Sequence, residues 1–132
     1  MSHFGKREVD ENTVVSMRYP SGRFAQFTCT IAAQASNTMT LMGTKGRIVL
    51  PYMFWNGNKA ILQKEGAQDE VIEFSHRVNG FEYQIEEAMK MVDKKRVCSQ
   101  FMPHDDSLAV MQTMDEIRRQ IGLKFIPDAE RV

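Results

Sequence analysis

At Asn79-Gly80 the apolar pattern of the chain changes period. Before this point apolar and polar residues alternate over short runs; after it, apolar residues recur every three or four positions. Such a chain makes its strands first and its helices last. That order is not the regular strand–helix alternation of a parallel sheet, and it points to an α+β fold.

The alternating part divides at turn signals. Thr13 to Tyr19 (TVVSMRY) sets Val15, Met17 and Tyr19 on one face. Pro20-Ser21-Gly22 stops the ladder, because proline has no N–H to give and glycine frees the turn. Arg23 to Ala32 alternates again, with Ala25, Phe27, Cys29 and Ile31 on one face. The two runs read as an antiparallel hairpin. Further strands are expected over Thr38 to Met42, Arg47 to Leu50, Lys59 to Lys64 and Glu70 to Ser75. The turns Gly43-Thr44-Lys45-Gly46 and Asn56-Gly57-Asn58 lie between them. The expectation is an open, mostly antiparallel sheet of roughly six strands, with helices on one face.

Two helices follow. Phe81, Ile85, Ala88, Met89 and Val92 share one helical face. Glu82, Glu86 and Glu87 come early, and Lys90, Lys94 and Lys95 late, as the helix dipole favours. After Pro103 the apolar row is Leu108, Met111, Met114, Ile117 and Ile121. Asp105 or Asp106 is expected to cap its start, and Gly122 to close its end. Pro127 and the charged tail are expected to end a single domain spanning residues 1–132.

The remaining sheet face is informative. It carries Phe24, Gln26, Thr28 and Thr30 on one strand, and Thr38 and Thr40 on another. A solvated face usually holds more Lys and Glu. An uncharged, threonine-rich one is tolerated in water and also suits packing against another sheet or domain.

Charge and cysteine usage exclude several roles. The 17 basic and 17 acidic residues cancel, so nothing favours nucleic acid or a membrane surface as partner. No apolar run reaches the length of a membrane span, and the polar start MSHFGKREVDENT is no signal peptide. A cytoplasmic location is expected, with Cys29 and Cys98 reduced and buried.

Candidate chemistry is sparse. The stretch GTKGRIVLPYMFWN (residues 43–56) opens on two glycines beside an apolar run. A phosphate cradle needs a longer glycine-rich loop leading into a helix; here an extended run follows, so the glycines read as a hairpin turn. His104-Asp105-Asp106 reads as a helix start, since a metal needs more ligands. His76 reads as an exposed loop histidine, and Cys98 as structural, with no base positioned beside it. Phe54 and Trp55, the chain's only tryptophan, are either edge-of-core packing or the wall of a pocket or interface.

Three stretches carry a resemblance. They are TVVSMRYPSGRFAQFTCTI, then LMGTKGRIVLP with Phe54-Trp55, then NGFEYQIEEAMKMVDKKRVCSQFMPHDDSLAVMQTMDEIRRQIGLKF. In this order they resemble the C-terminal domain of the Gfo/Idh/MocA oxidoreductases, in the dihydrodiol and xylose dehydrogenase branch. The likeness runs from about Val9 to Phe125.

The resemblance implies a two-domain enzyme. Its N-terminal Rossmann domain would bind NAD or NADP, and its C-terminal sheet would pair with a second subunit. The family's catalytic lysine, in a Glu-Lys-Pro motif, and its other acid–base residues have no match here. No catalytic residue is therefore carried over, and this chain alone is expected to bind no cofactor. Trp55 first, and Phe54 second, are implied to line the substrate pocket. Gln26, Thr28, Thr30, Thr38 and Thr40 are the expected homo-oligomer face. The alternative expectation is a stand-alone, non-catalytic module that dimerises or binds a small ligand.

Overall fold

A computed structural model describes residues 1–124. It contains seven strands followed by two helices: β1 (Ser2–Phe4), β2 (Asp10–Arg18), β3 (Phe24–Thr30), β4 (Met39–Gly43), β5 (Gly46–Leu50), β6 (Lys59–Gln63), β7 (Glu70–Glu73), α1 (Phe81–Asp93) and α2 (His104–Ile121). A 3-10 helix, Phe54–Asn56, sits between β5 and β6. Every strand pairing is antiparallel, so the α+β expectation holds.

By hydrogen bonding the strands form two sheets, β1-β2-β3 and β4-β5-β6-β7. The chain divides into two compact units: Met1–Ala35 with the chain from Gln100 onward, and Ser36–Ser99. The expected stop at Pro127 and the charged tail lie outside the described residues.

In the first sheet the register matches the alternation in the sequence. Thr13, Val15 and Met17 stand opposite Cys29, Phe27 and Ala25; Asn12, Val14 and Ser16 stand opposite Thr30, Thr28 and Gln26. Opposed residues point to the same side, so the first set makes one face and the second the other. Burial is deepest in the first set, where Val15 is 8% exposed and Thr13 4%. The Thr13 hydroxyl is satisfied: it donates to Asp10 Oδ2 (3.0 Å) and shares a hydrogen bond with Ser2 Oγ (2.8 Å).

Strand β1 was not expected. Three residues are too few to show a period, and its support is non-local. The Met1 ammonium donates to the Val14 carbonyl and Val14 N–H donates back to Met1, while the single Ser2 hydroxyl proton is shared between Thr13 Oγ1 and the Asn12 carbonyl.

The second sheet is apolar through the middle of both faces. Leu41, Ile48 and Leu62 are opposed in register on one face; Thr40, Val49, Ile61 and Val71 make the row on the other. A sheet with two apolar faces calls for cover on both.

Two expected details are corrected. No side chain of Asp105 or Asp106 caps α2; its cap position is Pro103, whose carbonyl accepts the Asp106 N–H at 3.1 Å. Both acids fall inside the first turn, where they favour the dipole rather than replace a missing hydrogen bond. Cys29 is exposed rather than buried, although it stands opposite the buried Thr13; it and the half-buried Cys98 are free thiols. Gly122 does close α2: at φ +78° it donates to Arg119, and Leu123 N–H donates to Arg118.

Candidate functional site

The Ser36–Ser99 unit gathers most of the chain's remaining chemistry around the start of α1. Phe54 and Trp55 occupy the 3-10 helix, which begins at Met53 in a left-handed conformation (φ 60°). Two backbone bonds hold it: Phe54 N–H to Asn37 (3.2 Å), and Asn56 N–H to Met53 (2.8 Å). The two aromatic rings meet edge to face at 5.3 Å and 77°. Trp55 remains 59% exposed, too open for a core residue. Such an aromatic is available as a wall for a ligand or for another protein surface.

Beyond β7 the chain runs Phe74-Ser75-His76-Arg77. His76 is corrected from an exposed loop residue: both ring nitrogens are buried and have no hydrogen-bond partner among the described residues. Its ring is held by Phe74 (5.2 Å, edge to face) and faces Tyr83 of α1 at 6.1 Å. The continuation of the β7 alternation through Phe74 and His76 is the sequence signal that could have found it. Arg77 lies 5.0 Å over the Tyr83 ring and pairs with Glu86 at 2.6 Å. The bond to Glu86, ahead of the opposing effect of desolvation, holds the guanidinium above its ordinary value.

The start of α1 is closed by its own acid. The Glu82 carboxylate accepts the N–H groups of Val78 (3.0 Å), Asn79 (3.2 Å) and Gly80 (2.7 Å), while Asn79 Oδ1 accepts from Phe81 (3.1 Å). Desolvation pushes Glu82 up, but these backbone donors outweigh it, and the carboxyl falls from 4.5 to about 2. A group lowered in the folded state adds stability that is complete above its unfolded value and disappears as pH falls through its folded value. The helix signal in the far ultraviolet should therefore hold down to about pH 4.5 and weaken between there and about pH 2. In Glu82→Gln the Val78–Gly80 amides should exchange faster at neutral pH. Unchanged amide exchange in that variant would count against the cap.

The other expected residues lie apart. Gln26, Thr28 and Thr30 project from β3, in the first sheet. Thr40 is on β4, in the second sheet, and Thr38 precedes that strand, with its hydroxyl 3.2 Å from Ser36 Oγ. Two shallow grooves, each near 400 Å³, flank the Gly43–Gly46 turn and are lined by Met42, Arg47 and Lys64; neither is lined by Phe54 or Trp55. Two of the polar residues there are already engaged, Arg47 Nε donating to Gln63 (2.7 Å) and Gln63 Nε2 to Asp69 (2.6 Å). The aromatic cluster, not this turn, carries the stronger case for a site. Among the described residues no three His, Cys, Asp or Glu come together as metal ligands, and no helix is long and apolar enough to cross a membrane.

Comparisons with known proteins agree with the resemblance in the sequence. Residues 1–49 match the GFO/IDH/MocA C-terminal domain. The zebrafish (Danio rerio) trans-1,2-dihydrobenzene-1,2-diol dehydrogenase is 32% identical over 127 residues, which is 92% of this chain and 38% of that protein. The bovine (Bos taurus) enzyme of the same name is 28% identical over 97% of this chain and 41% of its own length. The human (Homo sapiens) one is 26% identical over 91% and 37%. The chain thus spans about two fifths of the curated relatives it matches. On these findings the chain is similar to the C-terminal domains of the GFO/IDH/MocA family.

Proposed function

We propose that this domain supplies substrate-binding and oligomerisation surface to an NAD(P)-dependent oxidoreductase acting on a sugar, polyol or related alcohol or carbonyl compound. The observation that carries the reading is the alignment of nine tenths of the chain with a dihydrodiol dehydrogenase. In the whole enzyme a Rossmann domain holds the nicotinamide cofactor, which supplies the hydride chemistry. Trp55, with Phe54 behind it, forms part of the pocket wall.

The residues of this chain do not fit the cofactor themselves. A dinucleotide's phosphates need free N–H groups at a helix start, reached through a glycine-rich turn. The Gly43–Gly46 turn leads into strand β5 instead. The N–H groups before α1 are filled by Glu82, and the first turn of α2 carries Asp105 and Asp106, which repel phosphate. No step is therefore assigned to the cofactor on this chain.

Calorimetry separates this reading from that of a stand-alone module. Neither NAD nor NADP should bind the isolated chain at micromolar concentration, and the chain should not turn over a polyol. Joined to the Rossmann half of a relative, it should restore substrate-dependent reduction. Micromolar nucleotide binding by the chain alone would overturn the proposal.

A further inference from the structure

Gly80 stands where the 3-10 helix, the end of β7 and the start of α1 meet. It adopts φ +93°, which favours glycine. A Cβ placed on it would lie 3.4 Å from His76 Nδ1 and 3.6 Å from Asn56 Oδ1. The imidazole and the carboxamide therefore approach one point from two different elements. They are separated by no more than the sum of those two distances, and rotation of the exposed Asn56 side chain brings the two groups within reach of a direct or a single water-bridged hydrogen bond.

His76 needs such a partner. A neutral imidazole has one N–H to give and one lone pair to offer, and here both nitrogens are buried and unmatched. Phe74 and Tyr83 restrain the plane of the ring, so the direction of its nitrogens is restrained too. Asn56 can answer either tautomer, since its side chain holds both a donor and an acceptor. Asn56 also ends the helix that carries Trp55, and that helix has two backbone hydrogen bonds to hold it.

We propose that His76 is a positioning residue. Through a hydrogen bond to Asn56 beside Gly80, direct or through one water, it ties the Phe54–Asn56 helix, and with it Trp55, to the start of α1. The functional weight of this tie rests on Trp55 being a pocket wall; the tie itself requires no ligand.

Trp55 is the only tryptophan, so its emission reports on this helix alone. The experiment compares His76→Phe, Asn56→Ala and the double variant with the unmodified chain. His76→Phe keeps the aromatic packing and removes the ring nitrogens; Asn56 is exposed, so its truncation leaves the fold intact. Each single change should shift the emission to the red and raise acrylamide quenching about two-fold, with the far-ultraviolet helix signal unchanged. The double variant should move no further than either single one, because both remove the same bond. His76→Gln, which keeps a donor and an acceptor, should recover most of the original value. Additive effects, or quenching unchanged in both single variants, would overturn the proposal. The pocket reading fails separately: in the enzyme joined to its Rossmann half, Trp55→Ala would leave KM unchanged while the coupling in the isolated chain persisted.

Discussion

Gly46→Ala should unfold the second sheet. Gly46 opens β5 at φ +146°, and a Cβ there would stand 2.3 Å from the Gln63 carbonyl oxygen and 3.2 Å from Lys64 Cα. Both atoms belong to backbone, so no side chain can swing away. The alternatives are to push the end of β6 outward, which breaks the Arg47–Gln63 pairing, or to leave the turn. We expect a loss of about 3–5 kcal/mol, a large part of what holds a domain of this size. Two controls separate the causes. Gly22→Ala meets a positive φ (+79°) but open space, and should cost about 1 kcal/mol. Gly43→Ala meets a carbonyl at an ordinary 3.6 Å without a positive φ, and should be nearly neutral. Thermal melting of the three variants gives the order; equal losses at Gly43 and Gly46 would show that the close approach is not what selects glycine.

This result also explains why the GTKG turn was legible in the sequence while the reason for its second glycine was not. A Gly-X-X-Gly stretch between two apolar runs is a turn signal by local chemistry alone. The pressure on Gly46 comes from β6, a strand some fifteen residues further on, and no local pattern carries it. The same division runs through the rest of the fold. The six expected strands and two helices appear because their periods are written within each run, as are the glycine at the end of α2 and the early acids of α1. Strand β1 and the separation into two sheets depend on pairings between distant segments. At the candidate site, Phe54 and Trp55 stood out by size. His76 did not, because its burial is created by Tyr83 from the following helix as well as by its own neighbour Phe74.

The uncharged face of the first sheet leads to the second large effect: Thr28→Arg should turn a dimer into a monomer. We propose that this face pairs with a second copy of the chain. It presents Val14, Ser16, Gln26, Thr28 and Thr30 in register, with its charged member, Arg18, at the end of the ladder beside Phe24. Phe24 is 75% exposed and Val14 41%, apolar surface that water alone does not favour. Area decides what else is needed. Three strands of this length, at usual spacings, present roughly 300–500 Å², short of the roughly 800 Å² per partner of a stable interface. The interface must recruit more surface than this face alone presents. An arginine at position 28, opposite Val14, would bury an unpaired charge in the middle of the first patch. We expect the association to weaken by about 100-fold or more, roughly 3 kcal/mol. Thr28 is exposed in the single chain, so the monomer's own stability should barely change. Ser21→Arg, exposed in the turn beyond the end of the β2–β3 ladder, should leave the dimer intact. Light scattering across a concentration series tests all three chains. A monomer for the unmodified protein at high concentration, or a dimer that survives Thr28→Arg, would remove this face from the assembly.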